Sequence, residues 1–270
     1  MERYKESTSK HTPHTDISDI MTDVKNQSDL TQKHINNCVS EPLVVDAILD
    51  GAKQCSMLAP THPVAKYLAG RLIPKYKWHL IYYTTRIKKY TNKIVPGTFS
   101  NLDNDHPRLL FPYFDIHGKV YAFSARAFKD EQPKYFTIKI DKDAERIYGL
   151  ERVDYAKRIY AFEGQIDSLF IPNGIAVSGS SFESPTIEAL KTNLTVVIDR
   201  EPRNKDIVRI LHTCIKRGYS VAMLPDTMPG KDINQYVENG MSVGDILAAI
   251  DTHTFSGPTA ELEFINWKKI

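Results

Sequence analysis

The chain has 270 residues, a net formal charge of +2, and 41% hydrophobic and 25% charged side chains; it can fill one or two domain cores, and its overall charge selects no partner class. Its three cysteines, Cys38, Cys55 and Cys214, lie far apart, which argues against a zinc clamp or a disulfide framework. No apolar run approaches the roughly 20 residues of a membrane span and no apolar signal core opens the chain, so a soluble cytoplasmic protein with no zinc and no membrane partner is expected.

Residues 1–40 are rich in Ser, Thr, Asp, Asn and Lys, and a mostly disordered polar tail is expected there. From Pro42 to Ala59 the spacing of Leu43, Val44, Ile48, Ala52 and Met57 predicts one or two amphipathic helices. Between Gly51 and Leu102 there is no Asp or Glu. Lys53, Lys66, Arg71, Lys75, Lys77, Arg86, Lys88, Lys89 and Lys93 stand there among Tyr67, Tyr76, Trp78, Tyr82, Tyr83 and Tyr90. Such a stretch either offers a nucleic-acid strand a cationic face with stacking platforms, or is a solvated basic face whose aromatics belong to a local core. Leu109–Phe111 and Val120–Phe123 predict two strands joined by a hairpin turn over "DIHGK".

From Ile159 the pattern becomes strand–helix alternation. Strands are expected at 159–162, 175–178, 194–199 and 220–224, and helices near 166–171, 183–190, 205–217 and 244–250. The fold class is α/β: an α+β basic subdomain over 41–155, an α/β subdomain with a mainly parallel sheet over 156–252, and a short C-terminal tail over 253–270.

In an open α/β sheet the functional edge lies beyond the carboxyl ends of the strands. The strand "IYAF" ends on Glu163-Gly164, "LTVVID" ends on Asp199 with Glu201 two residues on, and "SVAML" leads to Asp226 and Lys231-Asp232. Each acid taken singly has a plain explanation as a polar strand end or a helix cap. Three at successive strand ends suggest a site where a cation offsets their repulsion, and oxygen ligands suit Mg²⁺. A glycine behind Glu163 would let a backbone or a phosphate approach closely.

"EGQID", "AVSG", "VIDRE" and "GKDIN" together resemble the TOPRIM domain shared by bacterial-type primases, topoisomerases and some nucleases. Upstream, "HPVAKYLAGRLI" and "RLLFPYFDIHGKVYAFSARAF…PKYF…IYGLERV" resemble the core of bacterial and phage DNA primases. "DREPRNKD" is similar to the form found in T-even-type phages. The resemblance covers residues 43 to 250.

It implies metal-dependent nucleotidyl transfer making RNA primers, with Glu163, Asp199 and Glu201 as catalytic acids. The same three with Asp232 would bind Mg²⁺ or Mn²⁺, and Gly164, Asp167 and Gly179 would be structural companions. Arg108, Arg126, Lys134 and Lys231 would contact template or nucleotide, with Arg86, Lys88 and Lys89 contributing from the acid-free stretch. Implied partners are single-stranded DNA, ribonucleoside triphosphates, a replicative helicase and a separate zinc-module protein, since the chain has no cysteine pairs for that module. If phage-encoded, it would work in the host cytoplasm. Phe136-Thr137 replaces the family's Asn after Pro-Lys-Tyr, so that position carries no assignment. Two other classes stay open: a TOPRIM-type nuclease, and a non-catalytic nucleic-acid-binding accessory protein.

Overall fold

The structure is a computed structural model describing residues 49–115, 117–177 and 181–270. The expected polar tail, the start of the helical stretch after Pro42, and Gly179 lie outside the described residues.

The first part is built on an antiparallel sheet. Its elements are β1 (Lys53–Gln54), α1 (Pro63–Gly70), β2 (Tyr82–Thr84), α2 (Ile87–Ile94), β3 (Arg108–Phe114), β4 (Val120–Arg126) and β5 (Tyr135–Lys139), with strand order β1-β2-β3-β4-β5. The expected β3–β4 hairpin forms because Asp115 Oδ1 accepts from the backbone N–H groups of His117 and Lys119 at 2.8 and 2.9 Å. Residues 53–57, expected as helix, are instead β1 and a 3₁₀ turn. Helix α1 begins where His62 Nδ1 accepts from the Val64 N–H and Pro63 fixes the first turn. Along β3 the side chains alternate. Leu109, Phe111 and Tyr113 enter the core toward the second sheet, whereas Leu110 joins Phe123 and Ala125 beneath Ile87 and Tyr90 of α2.

The second part contains β6 (Ile147–Tyr148), β7 (Ile159–Phe162), α3 (Gln165–Phe170), β8 (Gly174–Val177), α4 (Pro185–Leu190), β9 (Leu194–Val197), α5 (Lys205–Lys216), β10 (Ser220–Ala222), α6 (Ile233–Glu238), α7 (Val243–Thr252), β11 (Thr254–Phe255) and α8 (Gly257–Trp267). The order is β11-β10-β9-β7-β8-β6. The four inner strands are parallel and the two edges antiparallel. Period-two alternation splits the inner strands between two cores. Tyr160, Phe162, Ala176 and Val197 face α3, α6, α7 and the antiparallel sheet; Ile159, Ala161, Ile175 and Val196 face α4, α5 and α8. Both sheets belong to one compact unit, Val45–Ile270.

Two boundaries differ from the sequence reading. Residues 253–270 are not a loose tail: β11 pairs with the outer edge of β10, and α8 buries Ala260 and Phe264 against the outer core. An open sheet edge and a bare apolar face both demand cover. Ile147–Tyr148, counted with the basic subdomain, closes the other edge against β8. A two-residue strand carries too little periodicity to be recognised in sequence. Among the described residues, no helix is long and apolar enough to cross a membrane.

Candidate active site

Strands β7 and β9 are parallel neighbours with Phe162 opposite Val197. Glu163 leaves the sheet one residue beyond that pair, and Asp199 two residues beyond it. The chain after β7 turns into α3 on one face, and the chain after β9 turns toward α5 on the other. Adjacent strands whose connections diverge open a crevice between them, the usual ligand position in an open α/β sheet. The two acids stand at its mouth.

Asp167, in the first turn of α3, belongs to the same group. A Cβ on Gly164 would stand 2.6 Å from Asp167 Oδ2. A side chain at the position behind Glu163 would thus push the Asp167 carboxylate aside. Asp167 Oδ1 also accepts from the Asn234 N–H at 3.0 Å, fixing α6 beside α3.

The third contributor is the 226–232 loop, drawn in by Arg200. Its guanidinium donates to the Gly230 carbonyl at 2.7 and 3.0 Å and reaches Asp226 at 3.2 Å, while its N–H donates to the Lys231 carbonyl at 2.7 Å. Lys231 Nζ thereby meets Glu201 Oε1 at 3.0 Å. Asp232 caps α6, its Oδ1 accepting from the Gln235 N–H at 2.8 Å. Arg200 stands between two acids of the expected motif, and sequence reasoning passed over it; its signal was only its place in "DRE".

The group is electrostatically strained. Burial, then the Asp167, Glu163 and Asp232 charges, push Asp199 up to about 8. Burial and Asp232 push Asp167 up to about 6. Burial and Glu201 raise Glu163 as well, and its Oε2 is buried with no hydrogen-bond partner. Lys231 is raised by its bond to Glu201. Among the described residues, no three His, Cys, Asp or Glu side chains close on one ion-sized point. The donor chemistry nonetheless fits a hard divalent cation: oxygen ligands, mutual repulsion and an orphaned buried carboxylate oxygen on Glu163. Glu163 and Asp199 fit this role best, because Glu201 is engaged by Lys231 and one oxygen of Asp232 by its cap.

The expected basic residues divide. Arg126 is 5% exposed, stacked over Tyr135 at 4.6 Å and donating through Nε to Tyr67 Oη at 3.0 Å. The Arg126, Arg71 and Lys231 charges, after burial, lower the pKa of Lys134, and Asp232 opposes them. These four cations and the acids thus share one field. Arg71, which sequence reasoning left unremarked within its run, pairs with Glu238 at 3.5 Å. Its carbonyl accepts from Asn234 Nδ2 at 2.8 Å, tying α1 to α6.

Arg108 lies inside the antiparallel sheet. It is 0% exposed, stacked over Phe136 at 4.8 Å, with Nε donating to His106 Nε2 at 3.0 Å and Nη2 buried without a partner, so it packs within the sheet rather than on an open surface. Arg86 is the N-cap residue of α2 and Lys88 and Lys89 lie in its first turn, across the antiparallel sheet from the core that joins the two sheets. Lys88 Nζ is engaged by the Asp103 carbonyl at 2.6 Å. Most aromatics of the acid-free stretch serve the core: Trp78, Tyr82 and Tyr90 are buried, Tyr67 and Tyr83 are half-buried, and Tyr76 is exposed.

No family model matches the sequence. The chain is 36% identical over 217 residues to the DNA primase of Enterobacteria phage T4, a match covering 79% of this chain and 62% of that protein. To the DNA primase of Clostridium acetobutylicum it is 30% identical over 171 residues, covering 55% of this chain and 26% of that one. The chain thus spans less than two thirds of the length of these relatives. A DnaG primase catalytic domain solved bound to ssDNA matches with a TM-score of 0.59 at 18% identity, over 82% of this chain and 89% of that one. The E. coli primase catalytic core matches with a TM-score of 0.59 at 19% identity, over 81% and 82%. At such identity the structural likeness establishes a shared fold.

Proposed function

We propose that this chain, a sequence relative of phage and bacterial DNA primases built on the fold of their catalytic core, joins ribonucleotides into short primers on single-stranded DNA. The observation carrying this reading is the strained acid group at the crevice between β7 and β9, sharing one field with Arg71, Arg126, Lys134 and Lys231. Joining nucleotides needs a centre for phosphate charge beside cations that hold the triphosphate. It needs no nucleophile from the protein.

Glu163 and Asp199, with Glu201 and Asp232 at the margin, would hold Mg²⁺ or Mn²⁺. Such an ion, when bound, lowers the pKa of the attacking 3′-hydroxyl and offsets charge on the phosphorus oxygens. Lys134, exposed, and Arg71 and Arg126, locked by packing, would orient the triphosphate. Lys231 neutralises Glu201 and lies within the same field. A replicative helicase and a zinc-module protein in trans are the proposed partners, and the host cytoplasm the proposed place of work.

The test is primer synthesis on single-stranded DNA with labelled ribonucleotides and Mg²⁺ or Mn²⁺, with and without a phage-type helicase. The expected result is short RNA that disappears with EDTA. Glu163→Gln should reduce it at least about a hundredfold while DNA binding is retained. Degraded template without RNA would instead make this a nuclease. Synthesis unchanged in the variant would remove Glu163 from the chemistry.

A further inference from the structure

Of the six aromatics interleaved with cations in the acid-free stretch, only Tyr76 is exposed, at 69%. It sits on the 3₁₀ turn Lys75–Leu80, which is firmly anchored. Trp78 is 7% exposed and donates through Nε1 to the Ile73 carbonyl at 2.9 Å, and the Lys77 N–H donates to the Pro74 carbonyl at 2.8 Å. Lys77 Nζ lies 5.6 Å from the Tyr76 ring centroid. Two further large apolar side chains are bared, one four positions earlier and one on a turn that packs against this one. Leu72 is 50% exposed at a backbone φ of 55°, a left-handed conformation uncommon for a branched residue. Met57 is 82% exposed at the end of the turn Cys55–Met57, which packs against the Tyr76 turn.

An exposed aromatic on a rigid turn, with Lys77 against its ring and Lys75 beside it in the chain, matches the chemistry of an unpaired nucleotide: a π-face to stack and a phosphate to neutralise. Tyr76 stands five positions after Arg71, so their Cα atoms are at most about 18 Å apart. A strand entering the crevice therefore reaches Tyr76 within a few nucleotides. We propose that Tyr76 is a stacking platform for unpaired template bases just outside the active site, with Leu72 and Met57 widening it and Lys75 and Lys77 holding the adjoining phosphates. This deepens the primer-synthesis reading and rests on it for the identity of the strand.

The experiment is fluorescence anisotropy of the full chain with a labelled oligothymidylate and with an abasic oligomer of the same length. Tyr76→Ala should weaken the oligothymidylate roughly 5- to 10-fold and leave the abasic strand unchanged. Tyr76→Trp should restore binding. Equal affinity of Tyr76→Ala and the parent chain for the oligothymidylate overturns the proposal, and so does equal weakening on both probes, which would mean a fold defect. If Tyr76→Ala keeps DNA affinity but loses a helicase-type partner, the patch is a protein dock and the proposal fails. Synthesis lost in Glu163→Gln with Tyr76→Ala binding normally sinks this inference alone. Binding weakened in Tyr76→Ala by a chain that makes no RNA sinks the primer-synthesis reading alone.

Discussion

The two sheets handle charge in opposite ways. In the antiparallel sheet the buried cations are held by aromatic stacking: Arg108 lies over Phe136 and Arg126 over Tyr135, each donating through Nε, although Arg108 Nη2 is buried without a partner. At the crevice of the parallel sheet the buried acids are unsettled, with Glu163 Oε2 lacking any partner and Asp199 pressed by three other carboxylates. A protein tolerates such repulsion where a ligand relieves it. Stacking offsets the burial of charge in the first region, whereas in the second the buried carboxylates repel one another.

Arg108→Ala gives the strongest test of that contrast. It removes a wholly buried side chain and leaves the carbonyls of Ala125 and Lys134 without this donor. A loss of roughly 2–4 kcal/mol in urea unfolding is expected, with DNA affinity of the folded fraction unchanged. A selective loss of nucleotide affinity at full stability would return Arg108 to the binding surface.

The next effect concerns pH. Asp199 and Asp167 are raised to about 8 and about 6, so between pH 4 and 8 the native state binds more protons than the unfolded chain. Stability of the metal-free protein should therefore fall as pH rises through that window. Melting curves in EDTA should show the decline, Asp199→Asn should flatten it, and added Mg²⁺ should restore more stability at pH 8 than at pH 6. A flat profile in the parent chain would mean the acids are not strained.

The smallest effect separates the two basic groups. Lys134→Ala should lower DNA affinity about threefold and reduce the salt slope by about one. The double substitution Lys88→Ala, Lys89→Ala, on α2, should leave both within about twofold. Equal slopes for the two variants would erase the distinction between the faces.

The order of elements and the likeness to phage and bacterial primases were legible from residues, because period-two apolar runs and short motifs are local properties. The strands 159–162 and 194–197 begin where the pattern predicted, since each is buried on both faces and bounded by turn residues. Less legible were short edge strands such as Ile147–Tyr148. Helix α8 also escaped, although Pro258 near its start and Ala260 with Phe264 four residues on were its signals. Among site residues, the acids stood out because a carboxylate after an apolar strand is conspicuous. Arg71 and Asn234 did not, since a hydrogen bond between residues 163 positions apart leaves no mark in sequence.

By itself, the sequence determined which apolar runs become the strands of the parallel sheet, and that acids follow three of them. Tertiary structure decided the rest. Parallel pairing of β7 with β9 set Glu163 beside Asp199, and Arg200 drew the Lys231 loop to them. The register of β3 against β4 carried Arg108 inside the sheet. A charged residue's type gives its chemistry, but its role depends on what crosses the space around it, and distant segments supply that only once the chain has folded.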